Sequence, residues 1–419
     1  MPILTDKPDL ILSKEQLLEI FFSGIKNEQK IGIENEKLLV DKNYNAATYE
    51  QIVKVLEGFE DYEPYEENGN LLGLKGKSGN ISLEPGSQVE FSSRPFSTLD
   101  EIGNALREFL TQLGNSAKKQ NLGVLDTGAQ PKTVWNDIKV IPKSRYKCMT
   151  DYLPSKNLEP FRMMRETAGV QVNIDYESEE DAIQKLSLAL KLSPIVSAMY
   201  SNSPLRKGEL TGVKSVRANA WLNVDEDRCG FISPELLKYT PEFSFKDYME
   251  TLLKVPMIFI ERGGKSISTA MNFEQFMKNG LGSYFSTSKD WETHLSLYFP
   301  EVRLKDHIEI RNHDNQNFEM TMSIPALWKG ILYSPDAMEE VRGMLKRFSV
   351  EDFYELREKT PKFALDYKIK KVWVKDLAKE LVNISKYTLS EHDKHYLEPL
   401  ENLVSQGLSP ADVYLNSLL

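Results

Sequence analysis

The sequence predicts an α+β protein in which an antiparallel-rich sheet is covered by helices. Residues 31–40, IGIENEKLLV, have the apolar composition of a largely buried strand. Residues 66–93 contain apolar stretches around the Gly-rich turn KGKSGN, which is typical of β-hairpins. Residues 330–419 are mainly amphipathic helix with short loops. The chain has no internal repeat or low-complexity linker, so residues 1–419 are predicted to form a single domain with a helical C-terminal part.

The remaining elements follow from local helix and strand signals. Residues 13–28 have helical periodicity, and Ser13 with Gln16 has the spacing of a capping box. Ser178 and Asp181 resemble the same motif at the start of a later helix. The patterns predict further helices at 48–58, 99–120, 178–193, 247–254 and 273–279, and a strand at 170–175.

Composition limits the class of protein. The 419 residues include 62 acidic and 52 basic side chains, and the net charge of −10 argues against a nucleic-acid surface. Two cysteines, Cys148 and Cys229, are too few for a disulfide-built scaffold. No apolar run approaches the ~18 residues of a membrane span, and the N-terminus has no pattern of a signal peptide. We therefore expect a cytoplasmic protein that binds neither nucleic acid nor membrane.

Five glutamates lie in strand-like apolar contexts. Glu34 and Glu36 are two residues apart, so on a strand they point to the same face. Each glutamate alone is typical of a solvated or structural position, but together they favour a site for Mg²⁺, which prefers carboxylate oxygens and phosphates. The predicted metal ligands are Glu34, Glu36, Glu84, Glu90 and Glu309.

Cationic residues are interleaved with these glutamates. Glu309 and Arg311 share strand parity, which places a carboxylate beside a guanidinium. Phosphoryl transfer needs such an arrangement because negative charge spreads over the transferred oxygens. A cross-strand ion pair is the alternative interpretation. The cations concerned are Lys37, Lys147, Arg165, Arg217 and Arg311, of which Lys37 and Arg311 are predicted to contact a nucleotide.

These residues lie in blocks that resemble the glutamate–cysteine ligases of the plant and proteobacterial type. The blocks run from IGIENEKLLV through SRYKCMTDYLP, MMRETAGVQVNIDY and SVRANAWLNVDEDRCGF to DWETHLSLYFPEVRLKDHIEIR. The resemblance implies a carboxylate–amine ligase whose curved antiparallel-rich sheet forms a glutamine-synthetase-like active-site funnel.

The same resemblance implies the chemistry. ATP would phosphorylate the γ-carboxylate of L-glutamate, and the amine of L-cysteine would attack the γ-glutamyl phosphate to give γ-glutamylcysteine, the first step of glutathione biosynthesis. We expect a monomer or homodimer. By position in the matching motifs, the five glutamates would hold Mg²⁺, Glu309 and Arg311 would act in catalysis, and the substrate pocket would be lined by Arg217, Trp221, Thr167, Gln171 and Asn173.

Three residues in two segments depart from the pattern of many relatives. Asn312 and His313 stand where Gly-Ala is common, and Glu166 stands where an arginine is common. Two alternatives to the cysteine ligase therefore remain open. One is a γ-glutamyl ligase for a different amine, and the other is a non-catalytic homologue that binds a nucleotide or amino acid.

Overall fold

A computed structural model describes residues 10–11, 13–155, 157–231, 233–238 and 242–418. Within these ranges, nine strands form one sheet in which every pairing is antiparallel. All strands of the described residues are β1 Ile31–Val40, β2 Tyr62–Glu67, β3 Asn70–Gly76, β4 Gly79–Leu83, β5 Val89–Ser93, β6 Gly123–Leu125, β7 Gly169–Ile174, β8 Leu205–Arg206, β9 Glu209–Leu210, β10 Cys229–Gly230, β11 Phe259–Arg262, β12 Lys265–Ser268, β13 Phe299–Pro300, β14 Val302–Leu304, β15 Ile308–Asp314, β16 Lys368–Ile369 and β17 Val372–Trp373. The nine-stranded sheet consists of β1 to β7, β14 and β15, and the others form two-stranded sheets.

Strand β1 is the centre of this sheet. The strand order is β14-β15-β7-β1-β5-β4-β3-β2, and β6 pairs with the far end of β1. Glu36 lies opposite Glu90 of β5, and Glu34 lies opposite Gln171 of β7. Since paired residues in a sheet share a face, the register brings distant carboxylates to one side of the sheet.

Helices cover the opposite face of β1. The ring of Phe91, a β5 residue opposite Asn35, stacks on the ring of Phe109, with 4.9 Å between the ring centroids. The Lys37 ammonium donates to the carbonyl of Gln316, just before the helix that starts at Phe318. The helices are α1 Glu19–Ser23, α2 Tyr49–Leu56, α3 Leu99–Lys119, α4 Ser144–Tyr152, α5 Glu159–Glu166, α6 Glu179–Met199, α7 Val216–Trp221, α8 Pro234–Lys238, α9 Phe245–Lys254, α10 Phe273–Asn279, α11 Ser288–Ser296, α12 Phe318–Leu332, α13 Pro335–Leu345, α14 Val350–Phe363, α15 Val374–Thr388, α16 Glu398–Ser405 and α17 Pro410–Asn416.

The predicted α+β class and helical C-terminal part are confirmed. Helix α6 begins after Ser178, whose side chain accepts a hydrogen bond from the Asp181 amide, and α2 and α3 begin with complete capping boxes. No helix of the described residues is long and apolar enough to cross a membrane.

The prediction for the first helix is wrong in its length. Instead of a continuous helix over 13–28, a 3₁₀ turn over Glu15–Leu18 leads into the five-residue α1. Gln16 accepts a hydrogen bond from the Ser13 amide, but Ser13 does not cap the helix. The helix ends early because the following backbone pairs with the end of β7, where the Lys26 amide donates to the Tyr176 carbonyl at 2.9 Å.

Two glycines in helices differ in how much space surrounds their Cα atoms. A Cβ at Gly330 in α12 would lie 2.5 Å from the Ser385 carbonyl oxygen in α15, whereas a Cβ at Gly114 in α3 meets nothing within 4 Å. We therefore expect Gly330→Ala to lower the free energy of unfolding by about 1–3 kcal/mol. Gly114→Ala should raise it by about 0.5–1 kcal/mol. Urea denaturation of both variants measures this, and a neutral or stabilising Gly330→Ala would contradict the close contact of α12 with α15.

Candidate active site

A cavity of about 240 Å³ lies on the face of the sheet that carries Glu34 and Glu36. Its other lining residues come from α4, the end of α5, α7, the end of α11 and the strands that follow α11. Its acidic lining residues are Glu34, Glu36, Glu84 and Glu90, its cationic ones are Lys143, Arg145, Arg217, Arg303 and Arg311, and the others include Gln88, Tyr146, Met163, Met164, Thr167, Gln171, Trp221, Ser296 and Phe299.

One wall of this cavity consists of carboxylates. Glu34 accepts a hydrogen bond from the Asn173 amide group at 3.1 Å, and Glu36 accepts one from the Gly169 backbone at 2.5 Å. Glu90 accepts a hydrogen bond from Ser82 at 2.9 Å. These contacts fix the three side chains on the sheet but supply little positive charge.

The fourth carboxylate, Glu84, lies just after β4 in a tight turn. The Glu84 amide donates to the Gln88 carbonyl and the Ser87 amide donates to the Glu84 carbonyl. The Gln88 side chain donates to the carbonyls of Met164 and Thr167, at 3.2 and 2.7 Å. The turn is therefore attached to the segment before β7, which holds Glu84 beside the sheet carboxylates.

Two carboxylates of this wall, Glu36 and Glu90, have raised pKa values. Burial raises the pKa of Glu36 to about 7, and the charge of Glu84 adds to the shift while Arg217 opposes it. Burial also raises the pKa of Glu90 well above its usual range, reinforced by the neighbouring glutamate charges. A cation that entered the cavity would relieve this repulsion.

The lining fits a hydrated divalent cation. Asn173, whose Nδ2 atom donates to Glu34, also has a buried Oδ1 atom without a hydrogen-bond partner, so the residue next to Glu34 carries an additional hard oxygen. No three His, Cys, Asp or Glu side chains in the described part of the chain are grouped closely enough to hold a metal by themselves. Mg²⁺ does not need such a cage, because it usually keeps waters and substrate phosphates among its ligands.

Glu309 lies outside the cavity lining, in a buried cluster of cations. Its carboxylate binds Arg303 at 2.7 Å, Lys305 at 2.7 Å, and Arg311. Burial by itself raises the pKa of this carboxyl, but the three cations outweigh burial and hold the pKa well below its usual range. To ligate a metal, Glu309 would have to exchange one of these cations for the ion.

The cluster orients two arginines that face the cavity. Arg311 also donates to the Gln171 side chain at 2.5 Å, and Arg217 donates to the Arg311 carbonyl at 2.7 Å. Arg217 lies over Gly169, where a Cβ would come within 2.7 Å of its guanidinium. The Trp221 ring lies 6.0 Å from the guanidinium carbons of both arginines.

The other predicted substrate residues lie at different depths. Thr167 and Gln171 line the cavity, and Asn173 reaches it through Glu34. The Thr167 hydroxyl donates to the Met163 carbonyl at 2.6 Å, at the C-terminal end of α5.

Three of the predicted cations do not reach the cavity. Lys37 is fully buried on the opposite face, bound to Asp126 and the Gln316 carbonyl, both at 2.6 Å. Its predicted nucleotide contact therefore has no geometric support. Lys147 is exposed and pairs with Asp151, and Arg165 donates to two backbone carbonyls beside the Trp135 ring.

The residues that depart from the family pattern have structural partners. His313 is buried between the Val170 carbonyl and the Trp328 indole, both at 2.9 Å. Asn312 donates to the Ser193 carbonyl at 2.5 Å, and Glu166 is buried in a two-point ion pair with Arg206. None of the three lines the cavity that holds the carboxylate wall.

The sequence prediction missed several lining residues. Arg303 could have been found, since β14 and β15 are joined by a short turn and the register places Arg303 opposite Glu309. Arg145, Tyr146 and Ser296 carry no such local signal, because they reach the cavity only through the tertiary placement of α4 and α11.

The fold resembles that of a ligase of known structure. The glutamate–cysteine ligase of Francisella tularensis, solved in complex with AMP, superposes with a TM-score of 0.58 at 13% identity, covering 94% of this chain and 85% of that one. At this identity the likeness establishes the fold alone.

Sequence comparison identifies the family. The model of glutamate–cysteine ligase family 2 (GCS2) matches residues 30–417. Glutamate–cysteine ligase B, chloroplastic, of Oryza sativa subsp. japonica is 34% identical over 418 residues, covering 97% of this chain and 84% of that protein. The chloroplastic enzyme of Nicotiana tabacum is 35% identical over 417 residues, covering 96% and 79%. The chain belongs to glutamate–cysteine ligase family 2.

These relatives correct one expectation. The sequence led us to expect a cytoplasmic protein, but the relatives from rice, tobacco and Arabidopsis thaliana are all chloroplastic proteins. The prediction of a cytoplasmic location is therefore wrong.

The carboxylate wall predicts an inverse dependence of stability on pH. In the folded protein the pKa of Glu90 lies well above its ordinary value of 4.5. Glu90 therefore stays protonated at pH values where it is ionised in the unfolded chain. Stability therefore falls as the pH rises above the usual carboxyl range. We expect Glu90→Gln to stabilise the protein by about 1–3 kcal/mol at pH 8 in EDTA, and to have little effect at pH 4.5. Urea denaturation at both pH values measures this.

Glu63→Gln, at an exposed position of β2, is the matched control and should change stability at neither pH. If Glu90→Gln destabilised the protein at pH 8, the repulsion within the wall would be contradicted.

Proposed function

We propose that this protein ligates the γ-carboxylate of L-glutamate to the amine of L-cysteine at the expense of ATP, with Mg²⁺ held at the carboxylate wall. The observation that carries the proposal is the opposition of two kinds of charge in one cavity. Glu34, Glu36, Glu84 and Glu90 line the same cavity as Arg217 and Arg311, in a chain of glutamate–cysteine ligase family 2.

The reaction has two group transfers. A γ-carboxylate oxygen of glutamate attacks the γ-phosphorus of ATP, and the bond to the β–γ bridging oxygen breaks to release ADP. The amine nitrogen of cysteine then attacks the carbonyl carbon of the γ-glutamyl phosphate and forms the amide. The bond from that carbon to the phosphate oxygen breaks, and the leaving phosphate takes the proton that the amine loses.

The cavity residues can bind and orient these anions. ATP and glutamate repel each other, and both repel the carboxylate wall. Bound Mg²⁺ would supply charge neutralisation at the β- and γ-phosphates, held by oxygens of the wall. Arg311, fixed by Glu309 and Gln171, faces the cavity where the transferred phosphoryl group can be neutralised.

Arg217 is placed to bind a carboxylate of glutamate. Its guanidinium is buried, and burial lowers its pKa, although nearby carboxylates oppose that shift. A buried guanidinium forms strong two-point hydrogen bonds with carboxylates. The Trp221 ring lies beside it, 6.0 Å from the guanidinium carbon.

A coupled assay of ADP release tests the proposal. With ATP, L-glutamate, Mg²⁺ and a panel of amines, ADP release should require both glutamate and an amine and should be highest with L-cysteine. Addition of excess EDTA should abolish it. Absence of ADP release above background with every amine would contradict the ligase function, and equal rates with unrelated amines would contradict the preference for cysteine.

Arg311→Ala should lower kcat by about 100- to 1000-fold, because the charge on the transferred phosphoryl group loses its neutralising partner. Glu309 keeps Arg303 and Lys305, so the variant should still fold. Glu309→Gln is a poorer test, because it would leave several buried cations without their anion and would cost about 3–5 kcal/mol of stability.

Arg94→Ala, at an exposed position after β5, is the matched control and should retain normal turnover. Near-normal turnover of a folded Arg311→Ala would show that phosphoryl transfer occurs elsewhere.

A further inference from the structure

Strand β15 contains a β-bulge next to the cavity. Two of its residues, Arg311 and Asn312, lie opposite the single residue Gln171 of β7, and the register shifts between Ile310 and His313. A bulge leaves one residue out of the strand pairing, bends the strand and re-aims the neighbouring side chains. The direction of the Arg311 side chain therefore depends on how the backbone of this bulge is held.

The Asn312 side chain ties the bulge to helix α6. Its amide group donates to the Ser193 carbonyl at 2.5 Å and to the Ser197 hydroxyl at 3.0 Å. The Ser197 hydroxyl in turn donates to the Asn312 carbonyl at 2.9 Å. Both the side chain and the backbone of Asn312 are therefore bound to α6.

Helix α6 is a rigid partner for the bulge. Residues 192–196 are all buried, and at 3.6 residues per turn they cover every side of the helix. A helix that is enclosed on all sides by close-packed side chains has little room to shift. The contact with α6 therefore fixes the backbone of Asn312 relative to the core of the protein.

Stability alone does not explain an asparagine at this position. Asn312 is buried, and its Oδ1 atom has no hydrogen-bond partner among the described residues. A buried acceptor that is left unsatisfied costs free energy, whereas an apolar side chain of similar shape would not carry that cost. A local cost of this kind is expected where a residue serves the geometry of a functional site.

Arg311 is the residue that this bulge directs into the cavity. Its guanidinium donates to Gln171 and pairs with Glu309, and its backbone amide donates to the Glu301 carbonyl at 3.1 Å. Asn312 does not line the cavity itself, so it can act only through its neighbours. Resting on the proposed function, we propose that Asn312 is a positioning residue, which holds the bulge against α6 and thereby keeps Arg311 in place for transfer of the phosphoryl group.

Removal of the Asn312 amide tests this role. Asn312→Ala should lower kcat by about 10- to 100-fold, because a small displacement of a catalytic group has an effect of this size. Ser197→Ala keeps the bond from Asn312 to the Ser193 carbonyl and should lower kcat by a smaller factor. All rates are measured at saturating ATP, L-glutamate and L-cysteine, so that weaker binding of a substrate does not contribute.

Ser116→Ala is the matched control. It removes a buried hydrogen bond of 2.6 Å from α3 to the Val55 carbonyl of α2, far from β15 in the chain. This variant should lose stability but keep normal kcat. Thermal melting verifies that each variant folds.

A double-mutant cycle separates positioning from a general structural effect. If Asn312 acts through Arg311, adding Asn312→Ala to Arg311→Ala should lower kcat by less than about threefold further, because the guanidinium to be positioned is already gone. Losses that multiply would assign Asn312 to the fold or to another part of the site and would overturn the proposal. If Asn312→Ala does not fold, the same cycle with Ser197→Ala gives the decision.

Normal kcat in a folded Asn312→Ala would overturn the proposal as well. A wild-type protein that releases no ADP under these conditions would instead refute the proposed ligase function.

Discussion

Repulsion among four carboxylates on one face of a sheet is the constraint on which the rest of this structure depends. The register of β1 with β5 and the attachment of the Glu84 turn bring these charges together, and burial makes them costly. Hydrophobic packing of α3 and α12 on the opposite face must offset that cost. A protein that maintains such a wall gives up stability for a place where a cation and phosphates can bind.

The arginines of the cavity are subject to a different constraint. Arginines that will meet ATP and glutamate must be held without closing onto the carboxylate wall. Glu309 does this through its ion pairs with Arg303 and Arg311. Gly169 leaves room for Arg217 to reach the same place from α7. The two charge types are therefore kept apart by the backbone, and substrates can bind between them.

Sequence reasoning succeeded where the relevant geometry is local. Alternation along a strand put Glu34 and Glu36 on one face, and the same alternation should have excluded Lys37, which is adjacent to Glu36 and so points the other way. It failed where geometry is tertiary. Nothing near Arg145 in the sequence shows that α4 closes over a sheet built from distant segments. The first helix was extended too far because periodicity does not reveal that the backbone after Ser23 pairs with Tyr176. Glu309 was recognised as important, but its burial among three cations depends on a register that spans two strands.

The central claim is that the carboxylate wall holds the metal of a metal–nucleotide complex. A crystal structure with Mg²⁺, L-glutamate and a non-hydrolysable ATP analogue tests it most directly. We expect a metal about 2.1 Å from oxygens of at least one or two of Glu34, Glu36, Glu84 and Glu90 and from the analogue's phosphates, with Arg311 beside the γ-phosphate. A nucleotide bound away from this face of the sheet, or a metal that contacts none of the four glutamates, would contradict it.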